Sequence, residues 1–261
     1  MRQIKSLYLA IFLFTAINIF SQSLEPTLKI SNINGYPVPF QNSIPYPDIQ
    51  KQNFREIVNL TSWRKERQAL NHSYSITKRD ATGIANIETE SGGRYQINYN
   101  DSSWSAISIP SVENIMCAYE STSGPEDYQD GVWYRKYFIV DSTWQEKKYV
   151  TLVFLGVNYI TDVWLNGIYL GYHEGGYTPF VFDITDLLDY TGTNVLAIRV
   201  DNIPWESTEA YNNAILPYKK CDWFNYTGIL RDVYIVAQNR INIVRADIKT
   251  LDNSGNIDVN M

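Results

Sequence analysis

The chain has 261 residues, with 22 Lys or Arg and 28 Asp or Glu, so its formal net charge is −6. This acidic balance excludes nucleic acid and anionic lipid as main partners, because both are bound through clustered basic residues. An apolar content of 44% and a charged content of 19% exclude a disordered chain, and 14% aromatic residues favour β structure. Two His and two Cys exclude the usual His/Cys zinc cluster, and we expect neither a metal nor a cofactor.

Residues 1–22 are typical of an export signal. Arg2 and Lys5 precede an uncharged run, residues 7–20, which is too short to span a bilayer comfortably. Ser-Gln-Ser at residues 21–23 offers small side chains for cleavage. An uncleaved membrane anchor is the alternative. We therefore expect an exported protein, either periplasmic or extracellular.

The two cysteines, Cys117 and Cys221, lie far apart in the sequence. In an oxidising compartment they could form a disulfide, provided that their Cα atoms come within bonding range. Two buried free thiols are the alternative, and the sequence leaves both open.

Residues 23–60 are predicted to be an irregular N-terminal segment. Pro37, Pro39, Pro45 and Pro47 fix φ and remove backbone donors. We therefore expect regular structure to begin only with a β-sandwich domain at residues 61–240.

Residues 61–240 show the short runs and frequent turns of an antiparallel β protein. Asn166-Gly167 lies between two apolar runs, residues 163–165 and 168–170, and predicts a hairpin because a type I′ turn needs φ > 0 at both central residues. We find no long helical periodicity after the signal, although residues 185–190 favour one turn of helix. The other predicted strands are residues 94–99, 104–109, 132–140, 149–157, 180–184, 194–200 and 231–236.

A polar and aromatic excursion, residues 201–230, interrupts these strands. A loop of this length inside a compact domain is usually functional or packs on a neighbour. Carboxylates and amides bind sugar hydroxyls, and flat aromatic faces pack on the apolar face of a pyranose. A solvated acidic loop, or aromatic side chains packed between domains, are the alternatives. The candidate sugar-binding residues are Asp201, Asn202, Trp205, Glu206, Trp223, Asn225 and Tyr226.

Residues 241–261 look like the beginning of another β domain. Residues 243–250 and 257–261 alternate as strands on either side of a turn at residues 252–255. Since the alternation continues to the last residue, we expect a truncated domain or a tail that adds a strand to another sheet.

Five ordered runs resemble the N-terminal sugar-binding domain of glycoside hydrolase family 2, which contains β-galactosidases, β-glucuronidases and β-mannosidases. The resemblance covers roughly residues 100–238 and implies an all-β, jelly-roll-like β-sandwich of galactose-binding-domain type. Residues 241–261 resemble the start of the immunoglobulin-like β-sandwich that follows in that family. The five runs are GVWYRK (131–136), FLGVNY (154–159), VWLNG (163–167), HEGGYTPF (173–180) and WFNYTGILRDV (223–233).

These runs also have physical interpretations. Gly175-Gly176 predicts a positive φ or a close approach to neighbouring backbone, with Tyr177 and Phe180 anchoring the turn in the core. Thr227-Gly228-Ile229 predicts a tight re-entry into the last strand of the domain.

Catalysis is not expected within these residues. The resemblance implies a retaining glycosidase, in which two carboxylates about 5–5.5 Å apart act as acid/base and nucleophile. In the family both are Glu residues on a (β/α)₈ barrel, and the acid/base Glu follows an Asn. This sequence contains no Asn-Glu pair, and a barrel alone needs about 250 residues of alternating strand and helix. We therefore assign no catalytic residue and expect the chain to be inactive by itself.

Three functions fit these observations. The first is the N-terminal, non-catalytic sugar-binding part of an exported family 2 glycosidase, with β-glycosides and the catalytic barrel of its own full-length chain as partners. The second is a free-standing carbohydrate-binding module without catalysis. The third is docking on another subunit, including a second copy in a homo-oligomer.

Overall fold

The computed structural model describes residues 29–41, 44–46, 55–117, 124–203 and 224–261. The predicted export signal, Cys221 and most of the excursion at 201–230 therefore lie outside the described residues. Cys117 is described and is half-buried. Within the described ranges, no helix is both long enough and apolar enough to span a membrane.

The described chain is built mainly of short strands, with three short helices. The helices are α1 His72–Ser75, α2 Ala81–Glu90 and α3 Trp144–Lys147. The strands are β1 Lys29–Ile33, β2 Tyr36–Gln41, β3 Ile44–Pro45, β4 Glu56–Asn59, β5 Ser62–Gln68, β6 Ser105–Ser108, β7 Gly131–Phe138, β8 Lys148–Phe154, β9 Val157–Asn158, β10 Ile160–Leu165, β11 Ile168–Glu174, β12 Phe180–Asp183, β13 Asn194–Asp201, β14 Gly228–Ile229, β15 Val233–Asn239, β16 Asp247–Thr250 and β17 Ile257–Asn260.

Two sheets face each other, which confirms the predicted β-sandwich. One sheet has the order β11-β10-β13-β7-β5-β6, and the other has the order β12-β8-β15-β4. Alternation along each strand sends one set of side chains between the sheets. In β7, Val132, Tyr134 and Phe138 enter this central core, whereas Trp133 packs on the opposite side of the sheet.

The predicted hairpin is confirmed. Asn166 and Gly167 have φ values of 52° and 79°, and β10 pairs with β11 across them. Strands are also present in every predicted run of residues 104–236. Residues 185–190, predicted as a turn of helix, form a non-helical turn in which the Leu187 N–H donates to the Ile184 carbonyl.

The outer face of the larger sheet is covered by α2, which sequence periodicity did not predict. Asp80 caps the helix, because its carboxylate accepts hydrogen bonds from the amides of Thr82 and Gly83. Ile87 is fully buried against Trp133 and Trp164. The helix buries few apolar residues, so its sequence shows no continuous apolar stripe.

Residues 94–99 were predicted to be a strand, and this prediction was wrong. They form consecutive turns after α2. The guanidinium of Arg135 donates to the carbonyls of Arg94 and Gln96. Backbone groups that a strand would pair with another strand are here bound by a buried side chain from β7.

The proline-rich segment also differs from the irregular structure expected for residues 23–60. Pro37 and Pro39 lie in β2, and Pro45 lies in β3. The Pro39 carbonyl accepts from the amide of Tyr46, so it points away from β1. A residue's N–H and C=O point to the same side of an antiparallel strand, and alternate residues share a side. The backbone N positions of Pro37 and Pro39 therefore also point away from β1. Their lack of an N–H group removes no hydrogen bond from the β1–β2 ladder.

The two predicted C-terminal strands form a hairpin, β16–β17, in which Ile248 lies opposite Val259. Both side chains are substantially exposed. The interpretation of this hairpin as the start of an immunoglobulin-like domain stays a prediction.

Beneath α1 and α2, the larger sheet contains a buried charge network centred on Asp162. Arg79 donates to both oxygens of its carboxylate at 2.7 and 3.1 Å, and the hydroxyl of Tyr169 donates to it at 2.8 Å. Arg199, the cross-strand neighbour of Asp162, lies 3.4 Å away. The side chains of Arg79, Asp162 and Arg199 have no solvent exposure. Such charges are tolerated only when they are mutually paired.

We predict that Asp162→Ala lowers the free energy of unfolding by about 3–5 kcal/mol, because two buried guanidinium groups lose their shared carboxylate. The control is Asp247→Ala, which breaks the partly exposed pair with Arg245 and is expected to cost about 1 kcal/mol or less. Urea unfolding of both variants measures the difference. Equal losses of stability would contradict this interpretation of the network.

Candidate functional site

The described candidate residues lie around the end of β13, where the excursion leaves the sheet and later returns. Asp201, Asn202, Asn225 and Tyr226 are described, whereas Trp205, Glu206 and Trp223 lie outside the described residues. The return is made through β14, which pairs antiparallel with β9. The two ends of the excursion are thus attached to the same end of the sandwich.

Asp201 is fully buried, and both of its carboxylate oxygens contact protein groups. His72 Nδ1 lies 2.8 Å from one oxygen, and the hydroxyl of Ser75 donates to the other. Arg199 lies 3.8 Å from the carboxylate. The geometry therefore gives Asp201 a structural role that links α1 to the last residue of β13.

Protonation of this pair follows from its surroundings. Burial favours the neutral carboxyl of Asp201, but the hydrogen bond from His72 and the charge of Arg199 outweigh it and lower the pKa of Asp201. Burial likewise disfavours protonated His72, but the hydrogen bond and charge of Asp201 prevail and raise the pKa of His72 above 6.5. His72 and Asp201 thus favour their charged forms together.

Three asparagines form a chain of buried amides, which we call the amide cluster: Asn158, Asn202 and Asn225. The Asn158 amide donates to Asn225 Oδ1 at 2.7 Å, and the Asn225 amide donates to Asn202 Oδ1 at 2.8 Å. The Asn202 amide donates in turn to Thr227 Oγ1 at 2.7 Å. These hydrogen bonds join β9, the end of β13 and the returning chain. The amide groups of Asn202 and Asn225, which were predicted to bind sugar hydroxyls, are thus hydrogen-bonded within the protein.

The aromatic candidates are placed differently. Tyr226 is half-buried, and its carbonyl accepts a hydrogen bond from the Asn158 amide at 2.7 Å. Its ring lies 5.9 Å from that of Phe224, which is 58% exposed. Phe224 was not among the predicted contacts, although it directly precedes Asn225 in the motif.

Close backbone approach explains two of the glycines in the family-like runs. A Cβ atom on Gly176 would lie 2.1 Å from Asn158 Oδ1, so only glycine fits against the amide cluster. Gly228 has φ of 129°, and a Cβ there would lie 3.0 Å from the hydroxyl of Tyr134. Of the two expected anchors, Phe180 is buried, but Tyr177 is 51% exposed and does not anchor the turn in the core.

Beside the amide cluster the surface forms a pocket of about 230 Å³. Apart from Asn225, its residues were not predicted as contacts: Phe224 lies in a family-like run but was not chosen from it, and the others come from residues 114–129, which have no recognisable pattern. Among the described residues, no group of three or more His, Cys, Asp and Glu is arranged to hold a metal. The pocket is lined by Asn114, Pro125, Glu126, Asp127, Gln129, Phe224 and Asn225.

Comparison with known proteins agrees with this architecture. Residues 92–239 match the model of the sugar-binding domain of glycosyl hydrolases family 2. The chain is 33% identical over 154 residues to a beta-glucuronidase of Formosa agariphila, covering 56% of this chain and 15% of that protein. It is 31% identical over 150 residues to a beta-galactosidase of Thermoanaerobacter pseudethanolicus, covering 57% of this chain and 19% of that protein. The matched part thus spans less than a fifth of these relatives.

Solved structures show the same fold. A crystal structure of Bacteroides uniformis beta-glucuronidase aligns with 76% of this chain and 20% of its own, at a TM-score of 0.55 and 24% identity. A beta-glucuronidase from an uncultured Clostridium aligns with 81% of this chain and 35% of its own, at a TM-score of 0.56 and 23% identity.

We predict that Gly176→Ala destabilises the protein by about 1–3 kcal/mol, because the added methyl group overlaps Asn158. The loss should be smaller in an Asn158→Ala background, where the overlapping amide is absent. A double-mutant cycle by urea unfolding measures this coupling. If the losses of stability from the two substitutions are additive, the contact between Gly176 and the amide cluster does not cause the destabilisation by Gly176→Ala.

We also predict a pH-dependent effect of His72→Gln, which keeps an N–H donor for Asp201 but cannot be charged. Because the folded-state pKa of His72 is raised, its charge contributes stability that is complete below about pH 6.5 and is lost as the pH rises through the raised value. The difference in unfolding free energy between wild type and variant should therefore be larger at about pH 5.5 than at about pH 9. His173 is present in both proteins, so its titration cancels. A difference that is constant or grows with pH would refute the assignment.

Proposed function

Because the chain belongs to glycosyl hydrolase family 2 through the sugar-binding domain at residues 92–239, we propose that it serves as the non-catalytic, sugar-binding part of a glycosidase of that family. The family match is the observation that carries the proposal. The compared relatives are named beta-glucuronidase and beta-galactosidase, so the proposed ligands are β-linked glycosides.

The arrangement at the end of the sandwich supports a positioning role. The amide cluster and the His72–Asp201 pair hold the departure and the return of the excursion on a rigid sheet. Binding residues on loops are most effective when such a scaffold fixes the loop ends. The excursion would then present its aromatic and polar side chains to a glycoside in a defined orientation.

Hydrolysis is proposed for the complete enzyme and not for this chain. In a retaining glycosidase one carboxylate attacks the anomeric carbon, while the other protonates the leaving oxygen and later activates water. Among the described acidic groups of the site, Asp201 is paired with His72 and Glu126 with Arg67, which leaves Asp127 as one accessible carboxylate where the reaction needs two. The two catalytic carboxylates would come from a barrel domain, against which the sandwich would pack. Export to the periplasm or the extracellular space is part of the same proposal.

A free-standing carbohydrate-binding module is the second candidate. It is favoured by the closed apolar core between the two sheets, which the chain buries without help from another domain. The two candidates agree on sugar binding and differ in whether a catalytic domain must be attached.

We predict that the purified chain binds immobilised β-linked oligosaccharides and releases no product from chromogenic β-galactosides or β-glucuronides. The reason is the lack of an Asn-Glu pair in the sequence, together with a single accessible carboxylate, Asp127, among the described acidic residues of the site. Glycan-array binding and a spectrophotometric assay against a buffer blank measure both parts. Turnover that one Asp or Glu substitution in this chain abolishes would contradict the non-catalytic assignment, and the lack of any glycan binding would contradict the sugar-binding role.

A further inference from the structure

The pocket beside the amide cluster offers the chemistry of a sugar subsite. Its lining includes two buried amides, Asn114 and Asn225, both held by hydrogen bonds to neighbouring residues. Its volume of about 230 Å³ lies below the range typical of drug-sized ligands, so it suits one ring and not a longer oligosaccharide.

One wall is polar and accessible. Asp127 is exposed, and within the described part of the chain its carboxylate is held by a single contact, the Gln129 amide at 2.8 Å. A carboxylate has room for several donors, so Asp127 can accept hydrogen bonds from vicinal sugar hydroxyls while it keeps the bond from Gln129. Asp127 therefore presents an accessible acceptor at the pocket.

Another part of the lining is aromatic. Phe224 is 58% exposed, although it lies against Gly124 and near Tyr226. An exposed aromatic face beside oriented acceptors is the arrangement that binds a pyranose, whose C–H face packs on the ring while its hydroxyls reach the polar wall.

The negative charge of the pocket disfavours sugars that carry a carboxylate. Both ionisable residues of its lining, Glu126 and Asp127, are acidic. Among the described residues, the cations joined to Glu126 and its neighbour Glu113 are already paired: Arg67 binds Glu126 at 2.8 Å and Glu113 at 2.7 Å, and Lys65 binds Glu113 at 2.6 Å. A ligand carboxylate would meet uncompensated negative charge from Asp127 and no available cation from these pairs.

We propose that this pocket binds a single neutral hexose ring of a β-glycoside and discriminates against a uronic acid. The inference rests on the proposed sugar-binding function and adds to it the site, formed by Asp127, Gln129 and Phe224, and the class of sugar. The excursion residues Asp201 and Asn202 then brace this pocket without contacting the sugar, whereas Asn225 lines it with an amide already bound within the amide cluster.

The test uses matched sugar pairs that differ only at C6: methyl β-D-glucopyranoside against methyl β-D-glucuronide, and methyl β-D-galactopyranoside against methyl β-D-galacturonide. Affinities for the 261-residue chain are measured by NMR titration at pH 7 and low salt. At least one neutral sugar should bind about fivefold or more tightly than its uronate. Asp127→Asn should narrow this ratio, and Phe224→Ala should weaken neutral-sugar binding about threefold or more. Both side chains are exposed, so neither variant should impair folding.

Asp186→Asn provides the matched control, because it removes one exposed carboxylate near the end of the sandwich opposite the pocket. It should leave both affinities and their ratio unchanged. Neutral-sugar binding that survives Asp127→Asn and Phe224→Ala unaltered would overturn the pocket assignment but leave the sugar-binding function standing. Tighter binding of the uronates would overturn the assigned class of sugar. Failure of all four sugars to bind would overturn both the pocket and the proposed function.

Discussion

The interaction on which this structure depends is the burial of Asp162 between two guanidinium groups. Arg79 reaches it from the connection between α1 and α2, and Arg199 reaches it from the neighbouring strand. A buried charge without a partner is very costly, so any displacement of Arg79 from Asp162 would be strongly destabilising. Arg199 also contacts Ser75, which in turn binds Asp201. The network thereby extends from the helical layer to the point at which the excursion begins.

Residues of the candidate site divide into two groups by their exposure to solvent. Asp201, Asn202 and Asn225 are buried, and their hydrogen bonds join strands and loops to one another. Asp127 and Phe224 are accessible, and they carry the chemistry that a sugar requires. A residue cannot satisfy a buried partner and a ligand with the same atoms, so the first group positions the surface on which the second group acts.

Much of the fold could be predicted from local patterns. The alternation of β7, the apolar run of β8 and the Asn166-Gly167 turn all depend on near neighbours in the chain. α2 was missed because it buries only Gly83 and Ile87 and is held on the sheet by capping and tertiary contacts. The turns at residues 94–99 were missed because their carbonyls are bound by Arg135, which lies about 40 positions away.

Around the site, the amino-acid sequence was enough to predict the family, the sandwich and the segment that leaves β13, the last long strand of the larger sheet. Those features follow from periodicity, turn residues and ordered motifs, which are properties of contiguous residues. Which polar groups remain accessible became known from the fold, because it depends on partners distant in the chain: Asp201 is bound by His72, and Asn225 by Asn158. The same residue types can bind a sugar or brace a fold, and burial distinguishes the two.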